Sequence, residues 1–172
     1  WSRDGRFIAY SSNERNGIDF DIFLYELDTG NEKCVFKEGG ACSSSGFSPN
    51  GNFIVVNICK SDIESDLYLV DLKNGKIKKI NDSNEISSYG SISWLPDESG
   101  FFLTSNVNRE FTALFFYELN GNGIRGVYSP NFDVEGAVLN LEGSEIAVIT
   151  NVEGYLQLEV FSVNSWTKIY SL

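Results

Sequence analysis

Apolar positions along this chain gather in short runs separated by polar turns, and the runs return in the same order. The stretch SRDGRFIAYSSN (Ser2 to Asn13) is echoed by SPNGNFIVVNIC (Ser48 to Cys59). Four openings share the pattern of an apolar residue, a polar turn ending in glycine, and a β-rich run: WSRDG, FSPNG, WLPDESG and LNLEG. Glycine in such a turn supplies the positive φ that other residues adopt reluctantly. The turn glycines Gly5, Gly51, Gly100 and Gly143 stand 46, 49 and 43 residues apart. The third opening carries Glu98 and Ser99 before its glycine, which predicts a longer loop there.

After each turn comes a strand candidate rich in β-branched and aromatic residues: FIAYSS, FIVVNI, FFLTSN and EIAVIT. Such runs suit strands covered on both faces. A second candidate follows a polar loop: DIFLYEL, DLYLVDL, ALFFYEL and QLEVFSV. Turns at DTGN, KNGK, NGNG and NSW lead to a third, and the run before the next opening, such as SSYGSISW or DVEGAVLN, makes a fourth. No sustained i, i+3, i+4, i+7 apolar spacing marks a helix. Four strands in a repeat of this length is the arithmetic of a β-propeller blade. A sandwich would not need a fixed period, and solenoid coils are usually shorter.

The expected fold is therefore all-β, a propeller segment of about four blades of four antiparallel strands. The repeats run about 1–42, 43–87, 88–132 and 133–172, and the first lacks its inner strand, of which only Trp1 is present. One blade buries part of its apolar surface and its neighbours cover the rest. The expected core is Phe7, Ile8, Phe23, Tyr25, Phe53, Ile54, Leu67, Leu69, Phe101, Leu103, Leu114, Phe116, Ile146, Val148 and Leu158. Propellers usually close with about four to eight blades. The segment is thus expected to belong to a larger propeller or to associate with a second copy.

Composition narrows the function. The 172 residues carry 13 basic and 24 acidic side chains, a net charge of −11. An acidic surface disfavours nucleic acid as a partner. No apolar run approaches the roughly 20 residues of a membrane helix, so no membrane partner is expected. With no histidine, and with Cys34, Cys42 and Cys59 lacking metal-type spacing, neither a zinc site nor another cofactor is expected. The three cysteines read as free thiols of a reducing compartment, the cytoplasm. The sequon Asn81-Asp82-Ser83 fits a surface loop.

The stretch WSRDGRFIAYSSN…DIFLYELDTG resembles the repeat of Tol-associated and peptidase-associated β-propellers. TSNVNREFTALFFYEL (Thr104 to Leu119) and DVEGAVLNLEGSEIAVITNVEGYLQLEVF (Asp133 to Phe161) resemble consecutive blades of prolyl oligopeptidase-type peptidases. Asp133, Val134, Glu135, Asn151, Gly154 and Leu158 stand at matching places. The turns depart from the family's pattern at Arg3, Asn50 and Asn140-Leu141-Glu142, each keeping its glycine.

The resemblance implies a non-catalytic propeller that gates peptide substrates to an α/β-hydrolase domain in the same protein, of acylaminoacyl or prolyl oligopeptidase type. The segment carries no chemistry of its own. It has no G-x-S-x-G elbow and no histidine for a serine–histidine relay. GSISW (Gly90 to Trp94) lacks the closing glycine and reads as an opening strand, and GGACSSSG (Gly39 to Gly46) leads into a strand rather than a phosphate-binding helix. Acidic pairs two apart, Asp19 with Asp21, Asp62 with Glu64 and Asp133 with Glu135, read as structural hydrogen bonding. Candidate contacts to substrate or partner are Asn108, Arg109 and Glu110, with Arg109 suited to a carboxylate, together with Asp133 and Glu135 on a channel-lining strand. The alternative is a protein-interaction scaffold similar to the Tol-associated periplasmic propeller.

Overall fold

The computed structural model describes residues 1–81, 86–121 and 123–172, and among these every regular element is a β-strand. They fall into two compact units, Trp1–Ser88 and Tyr89–Leu172. In the first unit, β1 (Phe7–Ser12), β2 (Asp21–Glu26) and β3 (Glu32–Phe36) form a three-stranded sheet. There β4 (Ala41–Phe47), β5 (Phe53–Ser61), β6 (Glu64–Asp71) and β7 (Ile77–Lys79) form a four-stranded one. In the second unit β8 (Tyr89–Trp94), β9 (Gly100–Ser105), β10 (Ala113–Glu118) and β11 (Ile124–Tyr128) make one sheet. The other holds β12 (Asp133–Leu139), β13 (Glu145–Val152), β14 (Tyr155–Ser162) and β15 (Lys168–Ser171). Every sheet is an antiparallel meander in chain order, one sheet to each repeat. The first sheet lacks the strand that opens the other three, as the sequence leads one to expect.

The opening turns share one hydrogen-bond frame. Ser2, Ser48, Leu95 and Asn140 donate their amides to the carbonyls of Phe7, Phe53, Gly100 and Glu145. The amides of Gly5, Gly51, Glu98 and Gly143 turn back onto the same four positions. In the third repeat, then, the residue with left-handed backbone is Glu98 (φ 60°), equivalent to Gly5 (φ 73°), Gly51 (φ 70°) and Gly143 (φ 70°). This corrects the sequence reading: the loop is no longer than the others, and the frame positions stand 46, 47 and 45 residues apart. Gly100 serves close packing instead, since a Cβ there would lie 2.3 Å from the Tyr117 carbonyl oxygen and 2.5 Å from Phe116 Cζ. A further bond repeats in all four copies. Leu27, Leu72, Leu119 and Val163 donate to the carbonyls of Arg6, Asn52, Ser99 and Ser144.

Each unit closes a core between its two sheets. In the first, Ile22, Phe36, Cys42, Ile54, Val56 and Val70 are buried together, flanked by Ala9, Leu24 and Val35. In the second the cluster is Phe102, Leu114, Phe116, Val134, Ala137, Ile146, Val148 and Phe161, with Trp166 against it. Of the expected core, Ile54, Leu67, Leu69, Phe101, Leu103, Leu114, Phe116, Ile146 and Val148 are buried. Phe7, Ile8, Phe23, Tyr25, Phe53 and Leu158 are half-buried. For Ile8, Phe23 and Tyr25 the cause is strand alternation: Ala9, Ile22 and Leu24 take the face toward β4–β7, leaving these three on the opposite face.

Candidate functional site

The loop between β9 and β10 ties down the start of β12. Asn108 adopts φ 56° in a turn closed by the Arg109 amide on the Asn106 carbonyl at 3.0 Å. Arg109 reaches two backbone carbonyls, Nη2 to Pro130 at 3.0 Å and Nε to Phe111 at 3.4 Å. Asp133 accepts from the Thr112 amide at 2.8 Å, and the Val134 amide donates to the Thr112 carbonyl at 3.0 Å. Glu135 is the extra residue of a bulge, where pairing passes from Val134 to Gly136, and it accepts from Asn151 Nδ2 at 3.0 Å. The structure thus brings the Arg109 segment and Asp133 together and fixes Glu135 to the β13–β14 hairpin. Asn108 and Glu110 are exposed and, among the described residues, have no side-chain partner. The guanidinium of Arg109 is engaged internally, so its first role is to hold the loop.

The first unit holds the equivalent junction with different chemistry. Phe20 donates its amide to the Gly40 carbonyl at 2.9 Å, and Asp19 accepts the Gly40 amide at 2.9 Å. That bond, with one from Asn16, keeps the Asp19 carboxyl below its ordinary pKa. Buried Asp21 receives Arg15 through two nitrogens, Nε at 2.6 Å and Nη2 at 3.1 Å. Asp66, the same position one repeat on, is held by Lys79 at 2.9 Å, Lys60 at 3.2 Å and Asn81. Burial opposes the charged Asp66 carboxylate, and these donors outweigh it, leaving its pKa lowered. Arg15 and the lysines escaped the sequence reading. The available signal was the aspartate recurring at the head of DIFLYEL and DLYLVDL, a buried charge that must find a cation.

In the second unit, Glu159 sits buried on β14 between Lys168 Nζ at 2.6 Å and the Tyr128 hydroxyl, which donates at 2.7 Å. Burial works against the carboxylate, but both partners hold its pKa below the ordinary value. Burial and the bond to Glu159 push Tyr128 up to about 12. The serines of GSISW are engaged by the neighbouring strand. Ser91 Oγ accepts the Ala137 amide and Ser93 Oγ the Leu139 amide, each at 2.9 Å.

Cys34, Cys42 and Cys59 are free, and burial raises the Cys42 thiol to about 11, which keeps it protonated. Among the described residues no cluster of His, Cys, Asp and Glu is able to hold a metal ion. Asn81 does not sit on a surface loop as its sequon led one to expect. It is buried, and its side chain bonds Asp66 and the Leu67 amide. Asp82 and Ser83 lie outside the described residues.

Residues 1–169 match the family model described as the TolB beta propeller domain. The chain belongs to the TolB β-propeller family. Its curated relatives include the Dipeptidyl-peptidase 5 of Porphyromonas gingivalis, 30% identical over 145 residues, covering 77% of this chain and 21% of that protein. They also include the Tol-Pal system protein TolB of Francisella tularensis subsp. mediasiatica, 34% identical over 82 residues, covering 46% of this chain and 18% of that protein. This TolB-type chain therefore spans about a fifth of the length of these relatives. A solved structure from a study of two prolyl endopeptidases superimposes with a TM-score of 0.75 at 14% identity, covering 97% of this chain and 28% of that one. That likeness concerns the fold, an all-β propeller.

Proposed function

We propose that this TolB-type propeller is a non-catalytic domain that gates peptide access to an α/β-hydrolase domain elsewhere in the same protein. The observation that carries the reading is the 30% identity to a dipeptidyl-peptidase over most of this chain. The internal bonding supports it: the serines of GSISW hold β12, Asp19 and Asp133 accept backbone amides, and Asp21 and Glu64 pair with cations, so these groups serve architecture rather than chemistry. Peptide substrates and the hydrolase domain are the proposed partners, the cytoplasm the proposed location, and exposed Asn108, Glu110 and Glu135 the proposed contacts. The test is peptide hydrolysis by the isolated segment and by the full-length protein. The reading expects none from the segment and serine-peptidase activity, sensitive to a phosphonate inhibitor, from the full protein. Activity intrinsic to the segment, or a full-length protein without a hydrolase, overturns it.

The second reading, a protein-interaction scaffold, rests on the 34% identity to a Tol-Pal system protein. It expects a full-length protein with no peptidase activity at all. Under either reading the segment is proposed to continue into a larger propeller or to meet a second copy. The apolar outer face of the last sheet supports this: Val138, Leu156 and Tyr170 are each more than half exposed on one side.

A further inference from the structure

The shared hydrogen-bond frame aligns the two units residue by residue, and one layer differs. In the second unit four aromatic rings fill the space between the sheets. Phe102 lies 4.9 Å from Phe116 and 6.1 Å from Trp166, and Trp166 lies 5.4 Å from Phe161. The equivalent positions in the first unit are Ala9, Leu24, Gly75 and Val70. Of these, Leu24, paired with Ala9 across β1 and β2, lines a cleft of about 760 Å³ between the first and second sheets. Its size falls in the range of small-molecule sites.

The floor of the cleft is apolar, formed by Phe7, Leu24, Val35, Phe47 and Leu72. Its rim carries Arg3, Arg6, Lys33 and Lys73 against Asp4, Glu26 and Glu32. All three acids are engaged. Glu26 binds Arg6 at 3.3 Å and Thr29 at 2.7 Å, Asp4 takes the Ser2 hydroxyl at 2.7 Å, and Glu32 accepts the Tyr10 hydroxyl. Among the described residues Arg3, Lys33 and Lys73 have no side-chain partner. In a chain of net charge −11, the rim sets four cations against three carboxylates, so the edge of this apolar hollow carries an excess of positive charge with three cations free to meet a ligand.

We infer that this cleft binds an organic anion with one carboxylate on an apolar body. The body removes the floor from water, and the carboxylate meets the rim cations in charge-assisted hydrogen bonds. Two sources offer this chemistry, an aliphatic acid and the C-terminus of an apolar peptide. The inference stands independently of the peptidase reading.

The test is calorimetric titration of the 172-residue chain with decanoate, decanol, N-acetyl-Leu-Phe and the amide of that peptide. Saturable binding of decanoate or of the peptide acid is expected, with the matching uncharged compound about tenfold weaker or worse. The variant R3A/K33A/K73A is expected to weaken binding by about tenfold as well. The variant A9F/L24F, which installs two of the four aromatics of the second unit, is expected to abolish it. The acid that binds identifies the source. The inference is overturned if neither acid saturates below about 10 mM, if the uncharged compounds bind equally, or if R3A/K33A/K73A binds like the parent. That surface variant decides the matter even if A9F/L24F fails to fold. A concentration-dependent dimer broken by the same substitutions overturns it in favour of a second copy.

Discussion

Replacing Gly100 by alanine separates the structural frame from the sequence frame. If Gly100 were a turn residue like Gly51, both alanine variants would pay the same left-handed penalty, roughly 1–2 kcal/mol. In the structure the two differ. Gly51 has φ 70° and no atom within 4 Å of a built Cβ, so G51A costs about 1 kcal/mol. Gly100 lies outside the left-handed region, and its Cβ would lie 2.3 Å from the Tyr117 carbonyl oxygen. That atom belongs to the neighbouring strand, and Phe116 Cζ at 2.5 Å closes the other side, so β9 and β10 must part where Phe101 faces Tyr117. Overpacking against backbone places G100A at about 3 kcal/mol, the upper end of the usual range. Urea denaturation followed by tryptophan fluorescence reads the difference, Trp94 being 4.7 Å from Phe101. With a slope of about 2 kcal/mol/M the midpoint falls by about 1.5 M for G100A and about 0.5 M for G51A. Asparagine sharpens the contrast, because it tolerates the left-handed region: G51N is nearly neutral and G100N is not. A G100A midpoint no lower than that of G51A refutes the frame.

Three further outcomes follow from single contacts. Trp166 holds φ 52° while stacked on Phe102 and Phe161, so W166A loses the stack at about 1–3 kcal/mol, and W166G, free of the left-handed penalty, unfolds at higher denaturant than W166A. K168M leaves buried Glu159 with Tyr128 alone and costs about 2 kcal/mol, below the 3–5 of a fully buried pair because Lys168 is half in water. Because Glu159 has a lowered pKa when folded, its contribution is complete above its ordinary value of 4.5 and lost as pH falls through the folded value. Tyr128 behaves in the opposite sense, contributing fully below its ordinary 10.0 and losing that contribution as pH rises toward about 12. Stability–pH profiles of Y128F and E159Q check both limbs. R15A strands Asp21, 1% exposed, and costs about 3 kcal/mol, whereas R15A/D21N recovers most of it.

The period, the strand order and the missing inner strand were legible because glycine turns and β-rich runs are local properties. The turn frame of the third repeat was not. Gly100 sits two residues beyond the true turn position, and a glutamate occupies the left-handed site where sequence rules favour glycine. Six of the fifteen expected core residues fell short of full burial, three of them, Ile8, Phe23 and Tyr25, because strand alternation turned them away from the second sheet. At the candidate site, Arg109 was chosen by residue type and Asp133 by its place on an opening strand, but their bonds run to backbone groups that no motif announces. Arg15 was invisible because it meets Asp21 across a loop. The cleft is lined by residues from both sheets of the first unit, with Leu24 where the second unit has Phe116, and no single stretch of sequence displays it.

The claim beneath all of this is that one unit recurs four times in a common register. Residue-resolved amide hydrogen exchange tests it at Leu27, Leu72, Leu119 and Val163, whose amides donate to Arg6, Asn52, Ser99 and Ser144. The register predicts slow exchange at all four, well beyond that of the neighbouring turn amides. Rapid exchange at Leu119, with protection at the other three, would contradict the common frame.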